Sequence, residues 1–155
     1  MVVKLRRARG LTLIEVMVVV TIIGILAVSG TLNVLRARMM GNEAVTIANM
    51  RQLAVALQSY NSVNNAYPDP LGLLSDATPA YAPTSITGGT GGNGNTNLNG
   101  YTYVYAWIDN FHYTVITSPT TQGVTGVRRF YVDQTSALRF TVDGTAPDAN
   151  SPLIQ

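Results

Sequence analysis

A single carboxylate interrupts the most apolar stretch of this chain. Glu15 lies within residues 11–28, which are otherwise almost wholly apolar. A charged side chain at the centre of a membrane helix costs about 2.5 kcal/mol or more, so such a residue usually has a partner. Alternatively, Glu15 lies near enough to the start of the run to reach the headgroup layer and remain solvated. Its position alone gives both interpretations equal weight.

Other residues that could do chemistry are few. The chain has no cysteine, which excludes disulfides, thiolate metal sites and cysteine nucleophiles. His112 is the only histidine, so histidine metal clusters are excluded and we expect it to pack or to lie at a sheet edge. Asp133, Asp143 and Asp148 lie in turn-like sequence, where aspartate bonds its own backbone; a calcium loop at residues 143–150 is the alternative, but it lacks a recognisable ligand spacing. We therefore predict no metal, no cofactor and no enzymatic activity.

The positive charge of the chain is concentrated at its N-terminus. Four of the ten Lys and Arg residues lie within the first ten residues, and all eight Asp and Glu lie beyond them. Removal of residues 1–10 would leave six basic against eight acidic side chains, a balance of −2. The remaining arginines are scattered along the sequence, whereas nucleic-acid binding favours a clustered basic face. We predict no nucleic-acid partner for this chain.

The basic start and the apolar run together form a membrane-targeting arrangement. Residues 11–28, as a helix, would extend about 27 Å, close to the hydrocarbon thickness of a bilayer. Positive charge tends to remain cytoplasmic, so the later residues should emerge on the far side. An ordinary signal peptide, cleaved near residues 27–30, and a permanent single-pass anchor are the alternatives.

The junction of leader and run resembles the cleavage and methylation motif of type IV prepilins and type II secretion pseudopilins. The residues that carry the resemblance are Arg9-Gly10-Leu11-Thr12-Leu13-Ile14-Glu15. Gly10 matches the residue before the cleaved bond, Leu11 the new N-terminus and Glu15 the fifth residue of the mature chain. Leu11 departs from the commonest residue, phenylalanine, but keeps its hydrophobic character.

The resemblance implies a role for each matching residue. A membrane-embedded prepilin peptidase would cut after Gly10, and the new N-terminus at Leu11 would be N-methylated. The Leu11 ammonium of one subunit would meet the Glu15 carboxylate of its neighbour, and a low dielectric would make other registers costly. The partners implied are other copies of the chain, the peptidase, the pilus or secretion assembly machinery and the inner membrane.

The apolar run should continue as one long helix to about residue 62. No proline occurs before Pro68, and apolar residues recur at steps of three and four through residues 47–60. Gly24 and Gly30 are predicted points of helix flexibility, since glycine lowers helix stability by about 1 kcal/mol relative to alanine. Many members of the similar family have a proline where Leu32 stands. The Tyr67-Pro68 step should end the helix.

Beyond the helix, residues 68–100 are predicted to be a connecting loop and residues 101–143 a sheet. The periodicity there changes to two, and four β-rich runs are separated by turn signals. The predicted fold is α+β and pilin-like: a long N-terminal α-helix whose C-terminal half packs on a small antiparallel β-sheet.

These observations predict three segments: a cleaved leader at residues 1–10, a transmembrane and filament-core helix at residues 11–35, and a globular head at residues 36–155. The predicted function is that of a structural subunit of a type IV pilus-like filament. The alternatives are a pseudopilin of a type II secretion system and a membrane-anchored or secreted binding domain that does not polymerise. The predicted location is the inner membrane before assembly, and the cell surface or periplasm afterwards.

Overall fold

The structure is a computed structural model that describes residues 10–88 and 95–154, apart from the side chains of residues 28–32. The basic leader, except Gly10, and residues 89–94, which are rich in Gly and include Asn, lie outside the described residues. The chain divides into two compact units, residues 1–36 and 37–155.

One long helix, α1 (Leu13–Asn64), begins the described chain and confirms the long helix predicted from the sequence. It ends where Asn65 adopts φ 54°, the left-handed conformation that commonly follows a helix C-terminus. The Asn65 amide still donates to Asn61 O at 2.8 Å, and Tyr67 and Pro68 follow in non-helical backbone.

Among the helices of the described residues, none is long and apolar enough to cross a membrane. The single-pass segment predicted for residues 11–35 is thus not confirmed.

A five-stranded antiparallel sheet follows, in the order β1-β2-β3-β4-β5. Its strands are β1 (Thr96–Leu98), β2 (Tyr101–Asp109), β3 (His112–Pro119), β4 (Arg129–Asp133) and β5 (Arg139–Thr141). Each strand pairs with the next along the chain, which confirms the predicted α+β class.

The prediction of four strands preceded by a plain loop was wrong in detail. Residues 68–100 contain two short helices, α2 (Leu73–Asp76) and α3 (Thr84–Thr87), and the strand β1. β1 has the sequence Thr-Asn-Leu and lacks the β-branched and aromatic pattern of a core strand. It forms because Asn99 and Gly100, both at positive φ, make a tight hairpin turn onto β2.

The core of the second unit lies between one face of α1 and one face of the sheet. The fully buried α1 residues include Met50, Leu53 and Leu57, which belong to the apolar face predicted at three- and four-residue steps. Alternate residues of the strands complete the core, namely Tyr101, Tyr103, Tyr105, Tyr113, Val115, Phe130 and Val132.

A buried carboxylate ties the segment before β4 to α1. Glu43 is only 6% exposed, and its Oε1 accepts the backbone N–H groups of Val127 and Arg128 at 2.8 and 3.2 Å. The Arg128 guanidinium donates from Nε to Oε2 at 2.7 Å. Burial alone would raise the pKa of Glu43, but these hydrogen bonds outweigh it and lower the pKa below its usual value.

The same segment passes very close to a core tyrosine. Gly126 is buried, and a Cβ at this position would overlap the hydroxyl end of Tyr101. That hydroxyl is held in place because it donates to Arg128 O at 2.9 Å. Only glycine therefore fits at position 126 without displacing the ring.

We expect Gly126→Ala to destabilise the second unit by about 1–3 kcal/mol, because the added methyl group overpacks the site. Thermal unfolding of the full chain in detergent micelles, followed by the fluorescence of its single tryptophan, Trp107, measures the change. Gly41→Ala is the matched control, since a Cβ at Gly41 meets no atom within 4 Å and alanine favours a helix by about 1 kcal/mol over glycine. Equal melting temperatures for Gly126→Ala and the unmodified chain would contradict the prediction.

We expect Glu43→Gln to lower stability at neutral pH by roughly 1–3 kcal/mol, because it removes the charged acceptor from three donors. The folded-state pKa of Glu43 lies below that of the unfolded chain. Its contribution is therefore present above the unfolded value of about 4.3 and is lost as the pH falls through the folded value. Melting curves of both chains between pH 7 and about pH 3 should converge on acidification. A constant gap across that range would show that the charge of Glu43 does not stabilise the fold.

Candidate functional site

The first turn of α1 is closed by a reciprocal pair of hydrogen bonds. Thr12 precedes the helix, and its Oγ1 accepts the Glu15 backbone N–H at 3.3 Å. Glu15 Oε2 in turn accepts the Thr12 backbone N–H and the Thr12 hydroxyl, both at 2.8 Å. This is a capping box, in which two otherwise unpaired backbone donors of the helix N-terminus are satisfied.

The capping box gives Glu15 a partner that the sequence reasoning missed. The signal was present, because Thr-x-x-Glu immediately before an apolar run is the sequence signature of this cap. The carboxylate also lies in the first turn, where the helix dipole favours negative charge. Within the described residues, both capping bonds use Oε2, and Oε1 accepts no hydrogen bond. One carboxylate oxygen thus remains open to a donor.

The surface around Glu15 is apolar and uncovered. Every residue from 10 to 27 is exposed, including Leu11 at 79% and Ile14 at 69%. Glu15 lines a shallow depression of about 350 Å³ with four apolar residues, Leu11, Ile14, Val18 and Val19. An apolar patch of this extent on a protein surface marks contact with a membrane or with another protein.

Gly10 and Leu11 lie just before the helix, in backbone without regular structure. Both are exposed, and no atom lies within 4 Å of a Cβ built on Gly10. The Gly10–Leu11 peptide bond is thus accessible, and Leu11 precedes Glu15 by four residues. The roles of Gly10, Leu11 and Glu15 in processing and assembly remain predictions.

Gly24 and Gly30, the predicted points of flexibility, lie within the helical range of α1. Open space surrounds Gly24. Their contribution to flexibility also remains a prediction.

The other candidates of the sequence analysis have local partners. His112 begins β3 as an exposed residue, and its Nδ1 lies 2.8 Å from Asp109 Oδ1. Hydrogen bonds from the Phe111 amide and from His112 lower the pKa of Asp109. Asp133, Asp143 and Asp148 accept backbone N–H groups two residues ahead, as predicted for turn aspartates. No group of three or more potential metal ligands occurs in the part of the chain that the structure describes.

Two comparisons with known proteins bear on this site. The model of the prokaryotic N-terminal methylation motif matches residues 5–31, which include Gly10, Leu11 and Glu15. The type IV wide pilus major component PilA4 of Thermus thermophilus is 35% identical over 83 residues. That alignment covers 54% of this chain and 63% of the relative, less than two thirds of the relative's length.

The α+β fold, the motif at the start of α1 and the pilin relative agree with one another. Together they show that this chain carries the prokaryotic N-terminal methylation motif and is similar, over 83 residues, to a type IV pilin.

Proposed function

We propose that this chain is a structural subunit of a type IV pilus-like filament, cleaved after Gly10 by a prepilin peptidase, N-methylated at Leu11 and polymerised through α1. The observation that carries the proposal is the methylation motif at residues 5–31, with Glu15 set in an exposed apolar helix surface. The relative described as a wide pilus major component supports the pilus over other filaments.

Cleavage would place a cationic amine close to a carboxylate acceptor. The new α-amine at Leu11 remains protonated after a single methylation, and Glu15 Oε1 is open within the described residues. In a stack of identical helices, the Leu11 amine of one subunit would pair with the Glu15 carboxylate of the next. The surrounding apolar side chains would exclude water, so the ion pair is strong when neighbouring helices are aligned to bring the two charges together. Any other alignment would leave both charges unpaired in an apolar environment, which costs free energy.

Such a contact joins two different surfaces of the same chain. Heterologous contacts of this type generate open helical filaments when the rotation between subunits does not close a ring. The exposed residues 11–27 would then be covered by neighbouring subunits within the filament. Before assembly, the inner membrane would cover them, with residues 36–155 outside the cytoplasm.

A pseudopilin of a type II secretion system is the second candidate. The Tyr67-Pro68 step that follows α1 favours it, because a similar step closes the long helix of many pseudopilins. Both candidates share the processing and the Glu15 contact, and they differ in where the filament is found.

We expect Glu15→Gln to be processed normally but to abolish filament formation, because the neutral amide cannot neutralise the Leu11 ammonium. Intact mass and N-terminal sequencing of sheared surface filaments and of membranes measure both steps. Lys4 is the only lysine, so the processed chain carries a single amine, at Leu11. Reductive methylation with labelled formaldehyde should therefore modify one site in the processed chain, and both Met1 and Lys4 in the unprocessed chain.

Thr21→Ala is the matched control for Glu15→Gln. It removes a polar group from the same helix, and among the described residues that hydroxyl bonds within its own helix alone, donating to Met17 O at 2.7 Å. The control should form filaments at the unmodified yield. Processed chains found only in membranes would indicate the pseudopilin. Filaments of chains that begin at Met1 or near residue 31, or normal filament yield from Glu15→Gln, would contradict the proposal.

A further inference from the structure

A groove of about 370 Å³ lies in the second unit, where the chain leaves α1 and passes the far end of β2. It is lined by Asp69, Leu71, Asn95, Tyr105 and Trp107, together with Pro70 and Val104. This volume lies at the lower end of the range for small-molecule sites, which are typically about 300–1,000 Å³.

Trp107 is more exposed to solvent than the tyrosines of β2. Tyr101, Tyr103 and Tyr105 alternate along one face of the strand and are 0%, 1% and 8% exposed. Trp107 is next in that alternation but is 39% exposed. Within the described residues its indole N–H has no acceptor. An aromatic ring that is left partly in solvent, with a free donor, is suited to contact a ligand.

Two of the side chains that line the groove are held in place by the fold. Leu71 is 1% exposed, and the Tyr105 hydroxyl is already engaged, because it donates to Pro68 O at 2.7 Å. That bond fixes the ring of Tyr105 against the segment that carries Asp69. The groove is thus held by the fold and does not depend on the ligand to form it.

Two polar side chains of the groove are unengaged. Asp69 and Asn95 are exposed, and neither side chain makes a hydrogen bond within the described residues. The carboxylate of Asp69 can only accept hydrogen bonds, the indole of Trp107 can only donate, and the amide of Asn95 can do both. The groove therefore presents one acceptor, one donor and one mixed group beside an aromatic ring.

We propose that this groove binds a neutral saccharide. Each sugar hydroxyl both donates and accepts hydrogen bonds, which matches the mixed set at Asp69, Asn95 and Trp107. The apolar C–H face of a sugar ring can lie against the partly exposed Trp107 ring, whose face carries partial negative charge.

Other classes of small ligand match the groove less well. An organic cation would use Asp69 and the ring but would leave the indole and amide donors unpaired. An anionic sugar would bring its charge towards the Asp69 carboxylate, and none of the described residues that line the groove is basic, so nothing among them offsets that repulsion. The site does not involve α1 residues 11–27, so the inference is independent of the proposed function.

The test uses the fluorescence of Trp107, the only tryptophan in the chain, which reports on the groove directly. The full chain is kept in a polyoxyethylene detergent, whose headgroup is neither a sugar nor an ammonium ion. The probes are cellotriose, maltotriose and triacetylchitotriose, with choline and trigalacturonate as charged comparisons. We expect a saturable change with at least one neutral trisaccharide, with a Kd of about 1 mM or tighter.

Asp69→Asn should weaken that binding about tenfold, because it replaces a charged acceptor by a neutral group of the same shape. Asp143→Asn is the matched control, since Asp143 is an exposed turn aspartate outside the groove, and its affinity should be unchanged. Trp107→Phe removes the reporter, so saturation-transfer NMR of the trisaccharide follows that variant and should show weaker contact.

Four results would overturn the inference. They are the absence of a saturable change with all three neutral trisaccharides, tighter binding of choline, equally tight binding of trigalacturonate, and unchanged affinity in Asp69→Asn.

Discussion

The apolar surface of the first part of α1 is the constraint on which the rest of this protein depends. Residues 11–27 expose Leu, Ile, Val and Met side chains on all sides of the helix, and very few polar side chains lie among them. A helix that is apolar all round is stable only when something covers it. Lipid tails and the same surface of other copies have the required chemistry, and in the proposed filament this surface would meet first one and then the other.

Two glutamates on one helix show how environment sets the role of a side chain. Glu43 is buried and accepts three hydrogen bonds from the segment before β4, so its charge is satisfied within the chain. Glu15 is exposed, and only one of its oxygens accepts hydrogen bonds within the described residues, both from Thr12. The first is suited to hold the head together. In the proposed filament the second would accept a donor from another chain, and the capping box with Thr12 closes the helix start without that donor.

The aromatic residues of β2 are buried along most of the strand but partly exposed at its end. The tyrosines of β2 fill the core at alternate positions of the strand. The hydroxyls of Tyr101 and Tyr105 donate hydrogen bonds to the backbone carbonyls of Arg128 and Pro68. Trp107 is the next residue in that alternation, and it is partly exposed to solvent. The end of β2 thus places a partly exposed ring beside the polar side chains of the groove.

The sequence by itself determined the features that arise from neighbouring residues. The absence of proline and the three- and four-residue steps predicted α1, the period of two predicted β2 to β5, and the turn aspartates bond their own backbone as expected. The motif at Gly10, Leu11 and Glu15 is likewise contiguous, and the capping box with Thr12 could have been recognised from its spacing.

Only the tertiary structure decided the features that join distant residues. β1 is a strand because a tight turn lays it on β2, and α2 and α3 are too short for a periodic pattern to reveal them. Glu43 lies 84 residues before Val127, so nothing in its own segment indicated a buried acceptor. Gly126 is required because the ring of Tyr101 lies against it, and Asp69, Asn95 and Trp107 line one groove only after the chain has folded. The periodicity of a segment indicates its secondary structure and which of its faces is buried. The contacts named above depend instead on which helices, strands and loops the fold brings together.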